Sequence, residues 1–159
     1  MTDRERSLLV AGVSGQIKVE RALAEIRSGR PVAVTGPSGS LIATPVEALD
    51  EALCADLQKL SSGRARLVLA APRLRRLGLD RTEAGAIALP QMDGARIAHL
   101  CVDTDARIDA PVSALSQTDE AALELMRLAL VLPALVVFPS QDQALISALV
   151  HVTPQEVMD

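Results

Sequence analysis

Val32-Ala33-Val34-Thr35-Gly36-Pro37-Ser38-Gly39-Ser40-Leu41-Ile42-Ala43 is the stretch on which the reading of the fold turns. Two short runs of strand-forming residues, Val32 to Thr35 and Ser40 to Ala43, flank Gly36-Pro37-Ser38-Gly39, and that spacing predicts a hairpin. A phosphate-binding loop is also glycine-rich and also follows a strand, but it needs a lysine and opens a helix. Neither is present here, so a tight turn is the better reading.

Upstream, Val19, Ala22, Leu23 and Ile26 share one helical face, and the helix is expected to stop at Gly29 with Pro31 just beyond. Downstream, Thr44-Pro45-Val46-Glu47 has the pattern of a capping box, which predicts a helix from there to about Leu60. Gly63 leads into a buried strand, Arg66 to Ala70, followed by a short arginine-rich helix that ends at Leu77-Gly78-Leu79. Ala86 to Leu89 and Arg96 to Val102 read as two further strands, the second placing Ile97, His99 and Cys101 on one face. Ser116 or Thr118 is expected to cap a helix through about Val131, with Ala122, Leu125, Met126 and Ala129 on its apolar face. Ala134 to Phe138 is a strand whose expected partner is Leu149 to Val152, with His151 on the opposite face or at an edge. Helical and strand periods thus alternate, which predicts an α/β domain: a mixed sheet with helices packed on it. Thr153-Pro154-Gln155-Glu156 repeats the capping pattern just before Asp159, as expected of the N-terminal part of a longer polypeptide or of a chain trimmed at a domain border.

Composition excludes several functions. Of the 159 residues 49% are hydrophobic but 1% aromatic, so the core is aliphatic around Phe138 and base stacking is nearly absent. A net charge of −4 repels polyanions, which argues against nucleic acid as a partner. Arg73, Arg75, Arg76 and Arg81 read as a solvated helix face. Cys54 and Cys101 lie in apolar patterns, as reduced buried thiols of a cytoplasmic protein do. The apolar runs Leu8 to Val13 and Leu128 to Phe138 are too short or interrupted for a signal peptide or a membrane span, so no membrane segment is expected.

One family shares several of these segments. They are Val19-Glu20-Arg21-Ala22-Leu23-Ala24-Glu25-Ile26 running into Pro31-Val32-Ala33-Val34, then Leu41-Ile42-Ala43, Leu77-Gly78-Leu79, Asp105-Ala106-Arg107, Val112-Ser113-Ala114 and Glu120 to Ala129. From about Val19 onward the chain resembles 3,4-dihydroxy-2-butanone 4-phosphate synthase, the riboflavin-pathway enzyme that removes formate from ribulose 5-phosphate with magnesium. The resemblance implies a shortened synthase-like fold over residues 17–153, an N-terminal arm over 1–16, and the start of a helix or linker over 154–159. It also implies a homodimer, and a GTP cyclohydrolase II domain on the same polypeptide.

The departures from the family pattern fall on its chemistry. The acidic loop between the first two strands, of the form Asp-Asp-Glu-x-Arg-Glu-x-Glu-Gly-Asp, is replaced by the shorter, uncharged Thr35 to Ser40. Aligning the helix Glu120 to Ala129 puts Thr118 where the family keeps its metal-binding histidine, and Asp119 where it keeps a threonine. Val137-Phe138-Pro139 stands in place of Cys-Glu-Ile, and Asp109-Ala110-Pro111 in place of the phosphate-contacting segment. The resemblance therefore implies a retained fold without catalytic or metal residues and without a cofactor: a dimerisation or regulatory scaffold for an attached cyclohydrolase. Arg107 and Thr118 are the ligand-binding candidates of an alternative, a sensor for a small phosphate or nucleotide, though Arg107 with Asp105 also reads as a surface ion pair or turn. A magnesium-dependent lyase with relocated chemistry is the remaining alternative. Ser113 and Ser116 have no histidine and carboxylate near them in sequence to make a nucleophile.

Overall fold

The computed structural model describes residues 2–159. Its elements are α1 (Asp3–Arg27), β1 (Val32–Gly36), β2 (Gly39–Pro45), α2 (Glu51–Ser61), β3 (Ala65–Leu69), α3 (Ala71–Arg76) and β4 (Gly85–Leu89), then α4 (Gly94–Val102), β5 (Val112–Ser113), α5 (Gln117–Leu128), β6 (Ala134–Ser140), α6 (Gln143–Ala148), β7 (His151–Val152) and α7 (Pro154–Met158). The strands form one seven-stranded sheet in the order β5-β4-β3-β6-β2-β1-β7. All neighbours are antiparallel except β1 and β7. This is the mixed sheet with helices packed on it that the alternating periods predict.

Period-two alternation along each strand divides the core into two. Val32, Val34, Leu41, Ala43, Val68, Leu135 and Val137 face α1, α5 and α7. Ala33, Ile42, Leu67, Leu69, Val136 and Phe138 face α2, α3, α4 and α6. Phe138, the only ring, is wholly buried on the second side. At roughly 25 cal/mol per Å² of apolar surface, these aliphatic layers supply most of the stabilisation.

The β1/β2 hairpin forms as read. Val34 pairs with Leu41 and Gly36 with Gly39, which leaves Pro37-Ser38 as the two-residue loop. Gly39 has φ of 130°, a conformation that side chains resist.

The expected arm over 1–16 is helical: α1 begins at Asp3 under a capping box formed by Thr2 and Glu5 and runs unbroken into the sheet-packed segment. Met1 lies outside the described residues. Three expectations are corrected. Arg96 to Val102 is not a strand but most of α4. Asp93 caps it by accepting from the amides of Ala95 and Arg96, and burial falls at Ile97, Leu100 and Cys101, a helical rather than an alternating set. His99 is consequently exposed, with Nδ1 2.5 Å from Asp103 Oδ2. Thr44 does not cap a helix: β2 continues through Pro45, pairing Thr44 with Val136, and the carboxylate of Glu47 accepts from the amide of Leu132. The helix starts later, at Glu51, with Asp50 as its cap. Lastly, β6 is central and takes β2 and β3 as its neighbours, so the last strand pairs instead with β1 in parallel.

Within the arginine group Arg75 and Arg76 are exposed, as the reading of a solvated face expects, while Arg73 and Arg81 are half-buried. Arg73 reaches the exposed end of α4, donating Nε to the Leu100 carbonyl at 2.8 Å and Nη2 to that of Asp103 at 2.8 Å. It thereby satisfies carbonyls that a helix C-terminus leaves without partners.

The Thr44 correction is testable. Its hydroxyl is buried with no hydrogen-bond partner among the described residues. Thr44→Val should leave stability unchanged or raise it by up to about 1 kcal/mol, since only an unsatisfied group is lost. Asp50→Ala should cost about 1 kcal/mol. Urea denaturation checks both, and the reverse order of effects would reinstate Thr44 as the cap.

Candidate functional site

The hairpin tip, the first turn of α5 and the end of β6 meet at one end of the sheet. Ser38, Gly39, Ser40 and Leu41 from the hairpin, Thr118 from α5, Pro139, Ser140 and Gln141 after the core of β6, and Arg64 and Arg66 at the start of β3 line a cleft of about 200 Å³. The uncharged hairpin, the Thr118 position and the Phe138-Pro139 segment, which the resemblance treats as three separate departures, therefore converge on one place.

Several contacts hold this end together. Thr35 and Ser40 join their hydroxyls across the hairpin at 3.0 Å. Ser116 caps α5, its hydroxyl accepting from the Asp119 amide at 3.2 Å while an Asp119 oxygen accepts from the Ser116 amide at 3.0 Å. Ser116, rather than Thr118, is thus the cap, and Thr118 lies within the first turn with its hydroxyl 3.0 Å from that of Ser116. Gly36 lets the hairpin approach α5 closely: a Cβ there would come within 2.8 Å of Thr118 Cγ2.

Beneath the cleft, Arg66 on β3 grips Asp119 on α5 with two parallel hydrogen bonds of 2.8 and 2.7 Å. The Asp119 side chain is 1% exposed and that of Arg66 28%. Burial acts to raise the Asp119 pKa, but the Arg66 hydrogen bonds, the Ser116 amide and the charge of Arg66 outweigh it and hold the carboxyl below its usual range. This fork geometry is the strong form of an arginine–carboxylate contact. Its partners are 53 residues apart, so the sequence shows only two hints: a lone charge entering an apolar strand and the Ser-x-x-Asp cap.

The cleft wall carries hydroxyls, one amide and two guanidinium groups, and no carboxylate, imidazole or thiol. Magnesium needs near-octahedral oxygen ligands, normally including carboxylates, and these residues do not fit it. Of the carboxylates close by, Asp119 has both oxygens committed elsewhere, and Asp142 turns Oδ1 to the first amides of α6. No group lining the cleft is a carbon-acid base. What the wall does favour is negative charge.

Arg107 lies away from Thr118. It is exposed, donates Nη1 to the Ala106 carbonyl at 2.8 Å, and packs along Gly78 on the side of the sheet that carries α3 and α4. No Arg107–Asp105 ion pair forms among the described residues; Asp105 instead clusters with His99 and Asp103 at the surface. Both cysteines are free and buried, and desolvation pushes the Cys101 thiol up to about 11. Neither lines the cleft. No helix among the described residues is long and apolar enough to cross a membrane.

No protein-family model matches the chain, and no curated protein does. Solved structures do match. 3,4-Dihydroxy-2-butanone 4-phosphate synthase from Candida albicans superposes with a TM-score of 0.67 at 17% identity, over 88% of this chain and 95% of that one. A 3,4-dihydroxy-2-butanone 4-phosphate synthase solved with two magnesium ions gives 0.64 at 16%, over 87% and 93%. RibBX from A. baumannii, a two-domain synthase, gives 0.66 at 16%, the shared fold covering 88% of this chain and 56% of that one. The chain has the fold of these synthases, as the resemblance implies.

The Arg66–Asp119 contact yields a pH prediction. Because the folded-state pKa of Asp119 is depressed below the usual value of about 3.9, its contribution to stability is fully present above about pH 4 and is lost as the pH falls further. Arg66→Ala should cost roughly 3 kcal/mol near neutral pH by leaving a buried carboxylate unpaired. That cost should shrink below about pH 4 as Asp119 protonates. Chemical denaturation at several pH values reads the difference, and a cost that does not change with pH would show that Asp119 stays neutral.

Proposed function

We propose that this chain is a non-catalytic domain of the dihydroxybutanone phosphate synthase fold, serving a riboflavin-biosynthesis protein of the cytoplasm as a dimerisation or regulatory scaffold for an attached GTP cyclohydrolase II. One observation carries the reading. The place where the hairpin, α5 and β6 converge offers neither ligands for magnesium nor a base for enolisation. The fold itself does not require that chemistry, since its layers are held by aliphatic packing. A second domain on the same polypeptide has a parallel in the two-domain neighbour, and the identity of that domain as a cyclohydrolase rests on the resemblance alone.

A second reading, a sensor for a small phosphate or nucleotide, is favoured by Arg64 and Arg66 in a cleft without acids beside the start of α5. Its binding group would be Thr118 with these arginines rather than with Arg107.

Incubating the protein with ribulose 5-phosphate and magnesium should release no formate above the protein-free control. Sustained formate production, abolished by a chelator, would overturn the scaffold reading. Thermal shift with ribulose 5-phosphate, GTP and inorganic phosphate separates the two readings: stabilisation in the unmodified protein that disappears in Arg64→Ala supports the sensor, and no shift at millimolar ligand leaves the scaffold.

A further inference from the structure

The first half of α1 stands clear of the rest of the chain. Thr2 to Val10 and Gly12 to Ser14 are all exposed, and burial against the sheet begins only with the second half, at Ala22 and Ile26. A free helix of a dozen residues is marginal in water, and this one carries large apolar side chains in the open. Leu9 is 58% exposed, Val13 49% and Ile17 42%. At about 100° per residue these three, spaced by four, form a ridge on the side of α1 opposite Ala22 and Ile26. Ridge and flanks border a shallow concavity with Val10, Lys18 and Arg21.

We infer that this ridge is a self-association surface on which two copies of the chain pair their α1 helices antiparallel about Val13. The charges select this occupant and this register. With Val13 opposite its own copy, Leu9 lies opposite Ile17 of the second copy, and Arg6 lies opposite Glu20, so an apolar centre is closed at each end by an oppositely charged pair. The contact is self-complementary, as a twofold interface requires. A bilayer surface fits less well. An interfacial helix pairs a strongly basic polar face with aromatic anchors, whereas Asp3, Glu5 and Glu20 offset all but one of Arg4, Arg6, Lys18 and Arg21 here, and the only aromatic residue is the buried Phe138. The inference deepens the scaffold reading by giving its dimerisation a location, yet the ridge is apolar whatever the cleft does.

Sedimentation velocity of the full chain over a range of concentrations should show a dimer. Val13→Asp should make it monomeric, with circular dichroism verifying that the sheet-packed body stays folded. Arg6→Glu and Glu20→Arg should each weaken the dimer about tenfold, and the two together should restore it, because only the antiparallel register brings these residues opposite one another. A dimer unaffected by Val13→Asp would overturn the inference while leaving the scaffold reading intact, since the interface would lie elsewhere. A monomer that binds anionic lipid vesicles, with binding lost in Val13→Asp, would overturn it in favour of a membrane surface, and a monomer that binds neither would overturn it outright. The formate assay is independent of all these outcomes.

Discussion

The Arg66–Asp119 contact ties the start of β3 to the first turn of α5 and thereby sets the geometry of the whole cleft end. Asp119 is already fixed by Ser116 through the capping box, so the guanidinium receives a carboxylate whose position is determined by the helix itself. Two hydrogen bonds in a fixed plane then orient α5 across the sheet. The same contact occupies both oxygens of Asp119 and neutralises Arg66, so the uncompensated positive charge on the cleft wall is that of Arg64.

The rest of the core makes few demands on chemistry. Both layers are leucine, valine, isoleucine and alanine with a single ring, and such side chains fit together by volume rather than by specific polar contacts. Polar groups in the interior are correspondingly few: Thr44, Ser61 and Asp119 are the polar or charged residues buried among those described. Only Asp119 of the three has a fully developed hydrogen-bond set, as a buried charge requires.

Legibility in the sequence followed the range of the interactions involved. The hairpin, α5 and the Thr153 cap were readable because local turn chemistry and a single helical period determine them. The Thr44-Pro45-Val46-Glu47 segment has the same local signature as the Thr153 cap, and it became strand because β6 offers Thr44 a ladder partner that no local pattern reveals. Arg96 to Val102 has the pattern of a strand yet folds as helix for a related reason. Ile97, His99 and Cys101 fit alternation by their identities, and the cap at Asp93, just upstream, is what starts a helix there. Of the site, the missing carboxylates could be read directly, whereas the Arg66–Asp119 contact joins strand to helix over a long separation and required the fold. The separation of Arg107 from Thr118 likewise depends on which side of the sheet each helix packs.

The acid-free lining of the cleft goes with its shape. The short hairpin brings Gly36 so near α5 that even a Cβ would crowd the Thr118 methyl, at 2.8 Å. Any side chain at position 36 would therefore force the hairpin or the first turn of α5 to shift, because close-packed contacts leave no spare volume there. The hairpin length, the glycine at its base and the small side chain at the start of α5 thus act as one packing solution, in which the close approach of hairpin and helix depends on there being no side chain at position 36.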